Sequence, residues 1–168
     1  ALQIKPDHAE VHNNLGTALK QEGHLIAAIE SYNRAIETNR DHAEAHNNLS
    51  NALLENGDTI GAIESCNRSI EIKPNYAEAH NSLGNALQQN GDPIAAIKSF
   101  NHALAIQPDF ALARSYKLRQ QTFICDWREI ESDRNLIPDL GVSTGMVTPF
   151  TMLYLEDDSA NHLKRSEL

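Results

Sequence analysis

The sequence predicts an all-α fold: a right-handed solenoid, or superhelix, of antiparallel helix pairs, followed by a C-terminal extension that does not repeat. Three observations carry that prediction. The chain copies itself every 34 residues, with "AEVHNNLGTALKQEGHLIAAIESYNRAIETNRDH" at 9–42, "AEAHNNLSNALLENGDTIGAIESCNRSIEIKPNY" at 43–76 and "AEAHNSLGNALQQNGDPIAAIKSFNHALAIQPDF" at 77–110. Each copy holds two stretches of apolar residues at helical spacing. Only 5% of the chain is aromatic while Ala, Asn, Ile and Leu dominate, which favours closely packed helices over a sheet sandwich.

The elements follow in order. "ALQIKPDH", residues 1–8, matches the last eight residues of a copy and reads as the end of a preceding repeat. In the copy at 9–42, His12, Leu15, Gly16 and Leu19 define a first helix. Ala28, Ile29, Tyr32, Ala35 and Ile36 define a second. Gly23, Gly57 and Gly91 fall between the two helices, where a turn needs a residue that tolerates positive φ. Pro74 and Pro108 stop the second helices of their copies. Arg40 stands in that place in the first copy, which predicts a less sharp boundary there. Gly16, Gly84, Ala28, Ala62 and Ala96 are small enough to let neighbouring helices approach closely. One such pair cannot bury its apolar face alone, and stacking does so, with the first helix of each pair lining a concave groove.

From Ala111 the pattern dissolves. "ALARSYKLRQQTF" still reads as a first helix, with Lys117 and Leu118 where Leu and Gly are expected. A short amphipathic helix through Trp127 and Ile130 would cap the last apolar face, so 111–135 is read as degenerate capping helices. Residues 136–168 read as a linker and the start of a downstream region, with Pro138, Gly141 and Gly145 in a loop.

Charge and cysteine usage exclude several function classes. The net charge is −9 and the longest basic run is Lys164-Arg165, so nucleic acid is not an expected partner. No stretch is long and apolar enough to span a membrane. Cys66 and Cys125 have no CxxC spacing, which fits a reducing compartment and a cytoplasmic location. The absence of an initiator Met at Ala1 reads as a cut inside a longer protein.

"HAEVH" (8–12) and "HAEAH" (42–46) place two histidines four apart, a metal-ligand spacing. The repeat explains them better. His12, His46 and His80 occupy one repeat position, while His8 and His42 occupy another that later holds Tyr76 and Phe110. Glu10 and Glu44 lie two residues after the first histidine, about 200° around a helix of 3.6 residues per turn, so neither reaches a metal-bound water. No metal site and no catalytic residue is expected in this chain.

Opposite the apolar stripe of the first helices lie Asn13, Asn14 and Thr17, then Asn47, Asn48 and Asn51, then Asn81, Ser82 and Asn85. Glu10, Glu44 and Glu78 share that side. Stacking turns these into ladders of amides, whose donors and acceptors suit the backbone of an extended peptide. The same amides also suit neighbouring backbone groups. A groove that grips a C-terminal carboxylate would need several inward Lys or Arg residues, and only Lys20 qualifies.

The repeats resemble the tetratricopeptide repeat (TPR) at Leu15, Gly16, Ala28, Tyr32, Ala35 and their partners at steps of 34, over residues 1–110. The "HNNLG" and "HNSLG" forms, the junction "PDFALARSYKLRQQTFICDW" (108–127) and "TPFTMLYLEDDSANHL" (148–163) resemble the O-linked N-acetylglucosamine (O-GlcNAc) transferases, bacterial members above all. That resemblance implies an array recruiting acceptor proteins, with Asn14 and Asn48 matching the family's asparagine ladder. Ser82 and Tyr116 depart from the ladder. It also implies UDP-N-acetylglucosamine as the donor of a longer protein, no cofactor in this chain, and donor-binding halves beyond Leu168. Thr148, Pro149 and Phe150 fill the region where animal members place a candidate catalytic His, so no catalytic residue carries over. A stand-alone TPR adaptor for complex assembly, with proteins or extended peptides as partners, is the alternative; a different enzyme fused to the array is a third reading. Homo-oligomerisation is left open.

Overall fold

The helix breakers of each 34-residue copy decide where its two helices begin and end. A computed structural model describes residues 8–124. Among the described residues it holds seven α-helices and no strand: α1 (His8–Gln21), α2 (Leu25–Thr38), α3 (Ala43–Glu55), α4 (Thr59–Ile72), α5 (Ala77–Gln89), α6 (Pro93–Ile106) and α7 (Ala111–Phe123). The expected cap around Trp127, the linker at 136–168 and all but His8 of the 1–8 segment lie outside the described residues.

The turn inside each copy is built the same way three times. Gly23, Gly57 and Gly91 have φ of 83°, 88° and 84°, the left-handed region where a Cβ is strained. The glycine N–H groups donate to the carbonyls of Lys20, Leu54 and Gln88. The N–H groups of His24, Asp58 and Asp92 reach back to Leu19, Leu53 and Leu87 at 2.8, 2.9 and 2.9 Å. These paired bonds satisfy carbonyls that a helix end otherwise leaves without partners. The carboxylates of Asp58 and Asp92 then cap α4 and α6, accepting from the Gly61 and Ala95 N–H groups at 2.9 Å.

The second helices end in one register whether or not a proline follows. α2 stops at Thr38 as abruptly as α4 and α6 stop before Pro74 and Pro108, which corrects the expectation of a looser boundary at Arg40. Asn39 leaves the helix with φ −140° and ψ 101°, and its Oδ1 accepts the Asp41 N–H at 3.1 Å. An Asx turn thus supplies the stop that proline supplies elsewhere.

Helices pack on their neighbours in chain order, and α1, α3, α5 and α7 also touch one another along a row. That row forms the inner side of the all-α solenoid and presents one set of side chains per repeat. Behind it the core is set by one size exchange. A Cβ on Gly16 would lie 2.6 Å from the buried Tyr32 ring, and one on Gly84 would lie 2.4 Å from the Phe100 ring. In the second copy the ring is replaced by Cys66, and a buried Ser50 takes the glycine's place. Close packing makes the two changes complementary. Ser69, buried where Ala35 and Ala103 stand in the other copies, donates to the Ala43 carbonyl at 2.8 Å. In α7, Leu118 fills the glycine position and is fully buried, and the Tyr116 ring lies 5.8 Å from Phe100.

Candidate peptide-binding groove

The first helices bring all nine expected groove residues onto one row, and packing sorts them by depth. Asn13, Asn47 and Asn81 are only 4%, 5% and 8% exposed, and Ser82 is also buried. Thr17, Asn48, Asn51 and Asn85 are half-buried, and Asn14 is open. The ladder is therefore a floor of buried amides with a rim of accessible ones.

At the first junction the groove side chains bond to one another. Asn48 Nδ2 donates to Asn13 Oδ1 at 2.9 Å across α1 and α3. Asn14 Nδ2 donates to Glu10 Oε1 at 3.3 Å, and His42 Nε2 sits 3.2 Å from Glu10 Oε2. His42 Nδ1 also accepts the Ala45 N–H at 3.3 Å, so one ring caps α3 and aims its other nitrogen at the carboxylate. Thr17 Oγ1 donates to the Asn13 carbonyl and accepts from the Tyr32 hydroxyl. Lys20 pairs with Glu55 at 3.2 Å, tying α1 to α3.

The next two junctions are different. Ser82 and Tyr116 stand one and two steps of 34 beyond Asn48. Asn47 Oδ1 and Asn81 Oδ1, the counterparts of Asn13 Oδ1, are buried and have no partner among the described residues. A serine is too short to repeat the Asn48 bond, and a tyrosine there stacks on Phe100 instead. Tyr76 occupies the place of His42. Burial, then the nearby carboxylates of Glu44 and Glu78, push its hydroxyl up to about 12, while the Asn47 amide pulls the other way. Glu44 and Glu78 are exposed and make no ion pair among the described residues.

His46 and His80 serve the loops. His46 Nε2 donates to the Arg40 carbonyl at 3.1 Å and His80 Nε2 to the Pro74 carbonyl at 2.9 Å. Burial lowers the His46 pKa from the usual value, against the carbonyl contact that raises it. Burial pushes the Cys66 thiol up to about 11, which keeps it protonated and unreactive. Among the described residues no group of three or more His, Cys, Asp or Glu is placed to hold a metal. Nor is any helix among them long and apolar enough to cross a membrane.

Two participants were missed from the sequence, His42 and Tyr76. A step of 34 sets each beside a glutamate of the same copy, and the exchange of His for Tyr was the available signal.

The family model "TPR repeat" matches residues 16–57 and 51–91, and "Tetratricopeptide repeat" matches 77–110. No curated protein matches the chain in sequence. Among solved structures, the first TPR of Spaghetti (RPAP3) bound to the HSP90 peptide SRMEEVD aligns with a TM-score of 0.69 at 17% identity, covering 74% of this chain and 99% of that one. MamA aligns with a TM-score of 0.69 at 21% identity, covering 99% and 82%. A mutant O-GlcNAc transferase of Thermobaculum terrenum aligns with a TM-score of 0.73 at 22% identity, covering 83% of this chain but only 27% of the enzyme. At such identities the structural likeness speaks for the fold alone. The repeat matches run from 16 to 110, more than half of the 168 residues, and the chain belongs to the tetratricopeptide-repeat family.

Proposed function

We propose that this chain is a protein-interaction scaffold whose groove recruits acceptor proteins for an O-GlcNAc-transferase-like glycosyltransferase. The observation that carries the interaction reading is the row of amides and carboxylates repeated once per helix pair along α1, α3, α5 and α7. Such a row offers an extended backbone donors and acceptors at regular intervals. The transferase reading is supported by the sequence resemblance at 108–127 and 148–163 and by the shared fold with the Thermobaculum terrenum enzyme. UDP-N-acetylglucosamine would be the donor of the longer protein, and this chain supplies Asn14, Asn51 and Asn85 as accessible groove amides.

The adaptor reading has one observation in its favour: the aligned RPAP3 domain is bound to a short peptide, SRMEEVD. That peptide carries two glutamates and an aspartate, however, and this groove presents Glu10, Glu44 and Glu78. Like charges across an interface repel, so an acidic tail is a poor ligand here.

The test is transfer of labelled N-acetylglucosamine from UDP-N-acetylglucosamine by the full natural polypeptide, with and without residues 9–110. The expected result is that deletion abolishes transfer to whole protein acceptors and spares transfer to short Ser/Thr peptides. No transfer by the intact polypeptide to either would leave the adaptor reading.

A further inference from the structure

Away from the groove, His46 and Arg68 line one cleft with Ile36, Glu37 and Arg40, where α2 meets α3 and α4. One step of 34 on, those places hold His80, His102, Ile70, Glu71 and Pro74. The exchange at 102 changes the chemistry. Arg34 and Arg68 stand at that position in the earlier copies, and a guanidinium keeps its charge and has no lone pair for a metal. His102 instead sets an imidazole against that of His80, with ring centroids 5.5 Å apart and planes tilted by 33°. The pair bridges α5 and α6 and is unrelated to the i, i+4 histidines of 8–12 and 42–46.

The two rings are held differently. His80 Nε2 donates to the Pro74 carbonyl at 2.9 Å, which fixes the tautomer and leaves Nδ1 with its lone pair. A backbone carbonyl on the second nitrogen is a common way of orienting a metal-binding imidazole. His102 is exposed and makes no hydrogen bond among the described residues, so its ring can turn either nitrogen toward His80. Metal–nitrogen bonds of about 2.0–2.1 Å put each ring centre roughly 3.2 Å from an ion. Centroids 5.5 Å apart then subtend about 120° at that ion, near the tetrahedral angle. Glu71, the nearest carboxylate by repeat position, is held by Arg68 at 3.1 Å.

We propose that His80 and His102 form a two-imidazole surface site for a divalent late transition-metal ion, with water in the remaining positions. Imidazole ligands favour Cu²⁺, with Ni²⁺ and Zn²⁺ weaker. The site is a property of the third copy alone, because the first two copies carry arginine where it needs His102. It is independent of the groove and of what the groove binds. By joining α5 to α6, a bound ion stabilises the third helix pair through its preference for the folded chain.

The experiment is calorimetric titration of Cu²⁺ alone into the purified 168-residue chain, with the copper EPR spectrum recorded at one equivalent. One site tighter than the background of the other histidines is expected, with nitrogen coupling from two imidazoles. His102→Arg, which installs the residue of the first two copies, and His102→Gln should each weaken that site by about 10–100-fold, the size of effect seen when support of a metal site is lost. His102 is exposed, so both variants keep the fold, which circular dichroism checks. His24→Gln, at an exposed histidine of the first turn, should leave the site intact. A chain without a site above background would overturn the proposal. So would an isotherm unchanged by both His102 substitutions, or a site that disappears in His24→Gln.

Discussion

The first and second repeats share a backbone register and differ in how completely they satisfy themselves. In the first, a glycine admits an aromatic ring, a histidine locks a glutamate, and an asparagine pair bridges to the next repeat. In the second, cysteine and serine replace ring and glycine, and an asparagine oxygen is left alone. The difference teaches that repeat periodicity guarantees the scaffold but not its chemistry. Each copy can spend the same positions on holding itself together or on holding something else.

The comparison of cores is sharpened most by truncation at one repeat position. Phe100→Ala should destabilise by about 3–5 kcal/mol, because it empties a fully enclosed ring site. Cys66→Ala at the same position one copy earlier should cost about 1 kcal/mol, since only one small atom is lost. Urea melts of the two variants check this, and equal losses would mean that the second copy is packed as tightly as the third. A smaller effect tests the size exchange. Cys66→Phe alone should lower stability by roughly 1–3 kcal/mol through overpacking against Ser50, and Ser50→Gly should restore most of it. Additive effects in the double variant would break the complementarity.

The polar floor gives the next smaller effect. Ser82→Asn should raise stability by about 0.5–1.5 kcal/mol by satisfying Asn47 Oδ1, read as a higher melting temperature. The smallest effect is pH-dependent. The His46 pKa is lowered below 6.5 in the folded state, so near and below that pH the unfolded chain binds the extra proton. Stability from this group is therefore fully present above pH 6.5 and is lost as pH falls. His46→Gln should flatten the decline between pH 7.5 and pH 5 in urea melts, and an unchanged slope would assign it elsewhere.

Much of this was legible beforehand at particular residues. Gly23, Gly57 and Gly91 marked turns because their backbone requires a residue without a Cβ, and they take it up in all three copies. Arg40 misled because proline is only one way to stop a helix, and Asn39 supplied another through its own side chain. The asparagines could be placed on one side of the first helices, but their depth could not. Asn13 and Asn14 are adjacent in sequence, yet one is buried and the other open, because a turn of about 100° per residue carries them to opposite edges of the helix contact.

By itself the sequence determined the period of 34, the two helices per period and the family, since these depend on local spacing and on breakers that act within a few residues. Only the tertiary structure decided which amides spend their hydrogen bonds on neighbours and which keep an oxygen free. That outcome depends on residues a full repeat apart, Asn13 with Asn48 but Asn47 with Ser82, and on whether the side chain ends in a carboxamide, which can cross the gap between two packed helices, or in a shorter hydroxyl.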